Sequence, residues 1–152
     1  MGDRSFVSLT VMKEHGEQVG DIYDDMPDRS LDGASAIFEF NEVNYGELEH
    51  LDQLQTLGIA YDSHWEDGGE YTAGTQSCRF NEAGEAIVKS IYDDEIGTID
   101  LGPVSDAADI SLDEVIKVIN ARKDVLHVLP WDNQVEYGKR YLARKLIEPN
   151  TE

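Results

Sequence analysis

Residues 75–92 read TQSCRFNEAGEAIVKSIY: two β-prone runs, Thr75 to Phe80 and Glu85 to Tyr92, on either side of the turn Asn81-Glu82-Ala83-Gly84. A short turn closed by glycine between two such runs predicts a β-hairpin. A hairpin joins neighbours in an antiparallel sheet. Upstream, Ile59 to Trp65 alternates, with Ile59, Tyr61 and Trp65 on one face, and Gly68 to Gly74 is a glycine-bearing loop.

Further upstream, Tyr45 to Leu57 reads as a helix with Leu48, Leu51, Leu54 and Leu57 recurring on one side. Asn44 and Glu47 have the spacing of a capping box. Gly58 stands where a left-handed residue ends a helix, with Ile59 as its apolar companion. Ser5 to Lys13 alternates Val7, Leu9 and Val11 against Ser8 and Thr10, and Ala34 to Asn41 carries Ile37, Phe38 and Phe40. Both read as strands. Between them, Glu14 to Gly33 is an acidic excursion rich in Gly, Asp and Pro, with room for one helical turn.

Downstream, Ile96 to Leu101 predicts a short strand. Ser111 and Glu114 form a second capping box, opening a helix expected to bury Leu112, Val115, Ile116 and Ile119 and to end with Arg122 and Lys123. A last helix follows Trp131-Asp132 and presents Val135, Tyr141, Leu142 and Leu146. Strands in adjacent pairs imply an α+β fold: a mainly antiparallel sheet of about five strands with two to three helices packed on one face. The echo between Ile22-Tyr23-Asp24-Asp25 and Ile91-Tyr92-Asp93-Asp94 is too short to indicate a duplication.

The 152 residues suit a single domain, residues 1–152, with a core large enough to need no staples. Apolar residues make up 40% of the chain, and two Trp, seven Tyr and four Phe are spread along it, which argues against disorder. No apolar run approaches the length that spans a bilayer, and no basic-then-apolar start marks a leader, so a cytoplasmic protein without membrane contact is expected. Cys78 is the single cysteine, which excludes an intrachain disulfide and a Cys-rich zinc site.

The formal charge is −20, from 32 acidic and 12 basic side chains. Such density destabilises a compact state by self-repulsion unless salt screens it or a basic partner meets it. Residues 1–121 carry 27 acidic and 6 basic side chains, and residues 122–152 carry 5 and 6. Salt adaptation would coat the whole surface, so this asymmetry favours a directed acidic face.

Three groups supply the candidate partner-binding residues: Asp21, Asp24, Asp25 and Asp28; Asp62, Glu66, Asp67 and Glu70; and Asp93, Asp94 and Glu95. Taken singly, each is an ordinary solvated surface. Held on a rigid sheet, they would imitate the phosphates of a nucleic acid and occupy the cationic groove of a nucleic-acid-binding protein. The expected partner is therefore a basic nucleic-acid-binding protein, and nucleic acid itself is not expected to bind. Lys139, Arg140, Arg144 and Lys145 could pair with acids of the same chain or of a second copy, making a homodimer.

Chemistry is less legible. Pairs such as Asp24 and Asp25 fit no EF-hand spacing, and Glu47 with His50 is a single Glu-x-x-His pair where di-metal bundles need two. Cys78, His64 and Asp62 are the right residue types for a nucleophile and base, but nothing in the sequence brings them together. No glycine loop carries the Gly-Lys-Ser/Thr of a phosphate cradle. No catalytic residue, metal ligand or cofactor is expected. Two rival readings stand beside the acidic inhibitor: a non-enzymatic adaptor using an apolar groove around Tyr61, Trp65 and Tyr71, with charge serving solubility or salt tolerance, and an enzyme using Asp62, Glu66 and Glu70.

Residues 40–80, FNEVNYGELEHLDQLQTLGIAYDSHWEDGGEYTAGTQSCRF, resemble small uncharacterised acidic proteins carried by phages and conjugative plasmids. The resemblance implies an accessory role in a mobile element, of the kind that blunts restriction or CRISPR defence.

Overall fold

The structure is a computed structural model that describes residues 4–24, 28–69 and 71–147. Its strands are β1 (Arg4–Met12), β2 (Asp28–Asp32), β3 (Ser35–Asn44), β4 (Tyr61–Trp65), β5 (Gly74–Phe80) and β6 (Ala86–Tyr92). They form one sheet in the order β2-β3-β1-β4-β5-β6 with every neighbour antiparallel. The helices are α1 (Gly16–Tyr23), α2 (Leu51–Thr56), α3 (Leu101–Ala108), α4 (Leu112–Leu126) and α5 (Gln134–Ile147). The fold is α+β with an antiparallel sheet, as the hairpin and the paired strands imply.

Strand alternation sorts the sheet into two faces. Val7, Leu9 and Val11 of β1 share a face with Ala36, Phe38 and Phe40 of β3, Tyr61 of β4, and Cys78 and Phe80 of β5, and all are buried. Val19 and Tyr23 of α1, Leu54 of α2 and Tyr141 of α5 join the same cluster. Fully burying a side chain such as Phe38 or Leu54 stabilises by about 1.5–3 kcal/mol. The other face carries Ser8, Thr10, Asp62, His64, Thr75 and Ser77, and near β5 and β6 it meets residues 127–131.

The end of α2 follows its reading closely. The Gly58 N–H donates to Gln55 O at 3.0 Å and the Ile59 N–H to Leu54 O at 3.0 Å, a Schellman closure with Gly58 at φ +71°. Helix α5 crosses here so tightly that a Cβ on Gly138 would collide with the Gly58 carbonyl. At the hairpin, the Asn81 side-chain oxygen accepts from Glu85 N–H at 2.9 Å, and Gly84 N–H donates to Asn81 O at 2.9 Å.

Four expectations differ. The helix over residues 45–57 shrinks to α2, because β3 stays paired with β1 as far as Asn44 and the chain then turns through positive φ at Tyr45 and Gly46. Asn44 and Glu47 therefore cap nothing, and α2 starts after left-handed His50 without a side-chain cap. The excursion over 14–33 holds α1 and β2, the strand not counted in the sequence. No strand forms over 96–101: Asp93–Glu95 is a 3-10 turn in which Glu95 Oε2 accepts the Tyr92 N–H at 2.9 Å and the Thr98 hydroxyl donates to Glu95 O at 2.9 Å. Such local polar bonds compete with a ladder.

The fourth difference is α4. Ser111 Oγ accepts from Glu114 N–H at 3.2 Å, so Ser111 caps the helix, but the expected capping box is only half formed: the Ser111 N–H donates to Ala107 O and the Glu114 carboxylate accepts from Lys117. The expected buried stripe does not: α4 buries no residue, and Leu112 is 74% exposed. Helix α3 packs against another side of α4. Leu142 and Leu146 of α5 are likewise exposed, while Tyr141 beside them is buried against Phe80 at 4.9 Å between ring centroids. The Ile-Tyr-Asp-Asp echo has no structural counterpart, since Tyr23 is buried in α1 and Tyr92 is exposed at the end of β6.

Candidate partner-binding surface

The basic side chains explain the electrostatics of this surface better than the acidic ones. Arg79 donates to Leu129 O at 2.8 Å and Tyr61 O at 3.0 Å, and Lys89 to His127 O at 2.6 Å and Asp124 O at 3.0 Å. Arg122 donates to Thr98 O at 3.0 Å, Arg140 to Glu82 O at 2.7 Å, Arg144 to Ala83 O at 3.3 Å and Arg4 to Glu42 O at 3.4 Å. Six of the twelve cations thus donate to main-chain carbonyls, and of these Arg79 and Arg140 also pair with a carboxylate. Among the described residues the Lys and Arg ion pairs are Arg79–Asp62, Lys117–Glu114 and Arg140–Glu136. Two of these are exposed pairs within one helix, worth about 0.3–0.5 kcal/mol each.

Asp21 and Asp24 are exposed in and just after α1 and line a depression with Glu17 and Arg29. Asp28 is the register partner of Glu39. Asp25 and Glu70 lie outside the described residues. The second and third groups, separate in sequence, meet at the ends of β4 and β6. His64 Nε2 is 3.0 Å from Asp93 Oδ2 and its Nδ1 is 3.9 Å from Glu66 Oε1. Ala73 ties Asp67 to Asp93, donating its N–H to Asp67 Oδ1 at 2.6 Å and accepting the Asp93 N–H at 2.9 Å. Asp94 is exposed beside them and Glu95 is half-buried. Asp21 and Asp24 sit across the sheet, where α1 packs on β3, so the described candidates do not form one patch.

Asp62 lies on the face of the sheet away from the core and is held there by Arg79. It accepts from Arg79 at 3.0 Å and from the Ser77 hydroxyl at 2.6 Å, while the Arg79 guanidinium stacks 3.7 Å from the Trp131 ring. Its carboxylate holds a buried cation and is not presented to a partner. The sequence contained a signal for this site: an Arg between Cys78 and Phe80, in mid-strand, must find a buried anion and carbonyls.

The three nucleophile candidates are on opposite faces, Cys78 inward and His64 and Asp62 outward. Burial also pushes the Cys78 thiol up to about 12, which keeps it protonated. Glu47 sits in the turn after β3, and His50 packs edge-on to Tyr23 at 5.6 Å, so the Glu-x-x-His pair is not helical. Among the described residues, no group of three or more His, Cys, Asp and Glu is placed to hold a metal ion. None of the helices among them is long and apolar enough to cross a membrane.

The uncovered end of the packed face forms a groove of about 620 Å³. Trp65 lies across Gly74, where a Cβ would come within 2.6 Å of the indole, and its N–H donates to Thr72 O at 2.8 Å. Tyr92 meets it edge-on at 6.1 Å, and Tyr45 and Tyr71 face each other at 6.3 Å. Glu47 and Asp52 complete the wall. The Tyr71 hydroxyl is buried without a hydrogen-bond partner. Trp65 and Tyr71 are thus groove residues, as the adaptor reading requires. Tyr61 is not: it is core, its hydroxyl accepts from Gln76 at 2.8 Å, and burial pushes it up to about 12.

Comparison with protein-family models, with curated proteins and with solved structures finds no match to this chain.

Proposed function

We propose that this chain is a non-enzymatic acidic inhibitor that binds the nucleic-acid-binding surface of a basic protein and excludes DNA or RNA from it. The observation that carries this reading is how few of the carboxylates the cations pair. The Lys and Arg ion pairs among the described residues take up Asp62, Glu114 and Glu136, which leaves the carboxylates of α1 and of the β4 and β6 ends for a partner. Binding then proceeds by counterion release and weakens steeply with salt. The resemblance of residues 40–80 to phage and plasmid proteins supports a restriction enzyme or a CRISPR effector as the partner class.

The test is capture from a bacterial lysate at low and then moderate salt, with duplex DNA as competitor. Retention of a nucleic-acid-binding protein that DNA displaces is the expected result. Charge reversal of Asp93 and Asp94, against charge reversal of Asp21 and Asp24, then identifies the side in contact. Capture indifferent to both salt and DNA sinks the proposal. Folding that requires molar salt would make salt adaptation the better account of the charge.

The groove favours a second reading, an adaptor. Four aromatic rings and two carboxylates suit a cationic side chain, which an aromatic face attracts by about 0.5–2 kcal/mol. An arginine-containing tripeptide should perturb Trp65 fluorescence in a Trp131→Phe background, and its citrulline counterpart, neutral and of the same shape, should not. Equal responses would leave the groove without a preference for charge.

A further inference from the structure

The most exposed apolar side chains lie on the helical part of the chain. Leu101 of α3 is 78% exposed, and Ile110 and Leu112 are each 74% exposed. Along α4, Leu112, Ile116 and Ile119 fall at i, i+4 and i+7, one stripe of a helix, and all three are exposed. A contiguous stripe of this kind on a soluble protein marks an interaction surface.

Charge identifies the occupant. The chain carries −20, yet α4 carries three acids, Asp113, Glu114 and Asp124, and three bases, Lys117, Arg122 and Lys123. Asp113 and Glu114 stand in its first turn and Lys123 in its last. A basic partner gains no electrostatic attraction from a helix without net charge. Two copies of a polyanion, in contrast, approach with least repulsion where each is neutral.

We propose that α4 pairs with α4 of a second copy, antiparallel about a two-fold axis. The contact is isologous, so each residue meets its complement twice. Antiparallel registration with the two-fold axis between residues 117 and 118 sets Ile116 opposite the second copy's Ile119 and Leu112 opposite the second copy's Lys123, which brings Asp113 beside that lysine. The two helix dipoles also oppose, which a parallel pair would forfeit. The dimer goes beyond the inhibitor reading and stands or falls separately from it.

Sedimentation of the full chain at about 100 µM tests the pairing in the affinity range of ordinary weak dimers. The expected mass is twice the 17.0 kDa chain. Raising salt should tighten the dimer, because it screens the repulsion between copies, the reverse of its effect on a basic partner. Ile116→Glu should weaken association by about a hundredfold or more, as loss of a central apolar anchor does, with its melting temperature at monomer concentrations unchanged. Asp113→Lys and Lys123→Asp should each weaken the dimer, and the two together should restore it. A monomer at both salts, a dimer that ignores Ile116→Glu, or a double variant no better than the single ones would overturn the proposal.

Discussion

Strand β1 and helix α4 are both amphipathic, yet Val7, Leu9 and Val11 are fully buried while Leu112, Ile116 and Ile119 face outward. The difference lies in what stands opposite. β1 is central, hydrogen-bonded on both edges, and its apolar side is roofed by α1, α2 and α5. α4 has α3 along another flank and contacts the sheet mainly through its end, where Lys89 reaches the carbonyls of Asp124 and His127. Periodicity marks a surface that wants cover, and its own chain does not always provide it.

The comparison breaks most sharply at the core. Phe38→Ala should cost about 3–5 kcal/mol, because a fully buried ring leaves a cavity, and a loss under about 1 kcal/mol in urea titration would mean that β3 is not roofed as described. Arg79→Ala follows at about 2–3 kcal/mol: it strands the Asp62 carboxylate, which is only partly solvated, and unstacks Trp131. Leu112→Ser, measured at concentrations where the chain is monomeric, should stay within about 0.5 kcal/mol of the parent, as exposed substitutions do. A loss like that of a core residue would place α4 inside the fold.

Two titrating groups sharpen the contrast further. Cys78, with its thiol pushed up to about 12, should resist a thiol reagent at pH 8 in the native protein and react promptly in urea. The smallest effect belongs to His15, whose pKa is lowered by burial against an opposing effect of Glu14. Its folded form takes up a proton less readily than its unfolded form, so its contribution is present above the unfolded value of 6.5 and is lost as pH falls through that value and the lower folded one. His15→Gln should therefore flatten the stability profile between pH 7 and pH 5 relative to the parent, and an unchanged slope would place that imidazole in water.

Much of the sheet was legible because strands report their faces directly: Ser5 to Lys13, Ala34 to Asn41, Ile59 to Trp65 and the hairpin all appear close to their readings. The helix ends with local chemistry, Gly58 and Ser111, were legible for the same reason, since a cap lies within a few residues of what it caps. The acidic region over 14–33 was not, because α1 gains its stability from packing on β3 and not from its own weak pattern. The site was harder still. Asp62 and Asp93 look alike in sequence, and only the register that sets Asp62 opposite Ser77, two residues before Arg79 and on the same face, gives the first a buried cation to hold.

The sequence by itself determined the α+β class, the hairpin, two helix caps and a charge of −20, because these depend on composition and on neighbours a few residues apart. Tertiary structure alone decided which apolar stripe is roofed, which carboxylate holds Arg79, and that the acids near residues 66 and 93 share one edge around His64. Those are contacts between segments distant in the chain, and their partners are chosen by strand order and register, which no local pattern encodes.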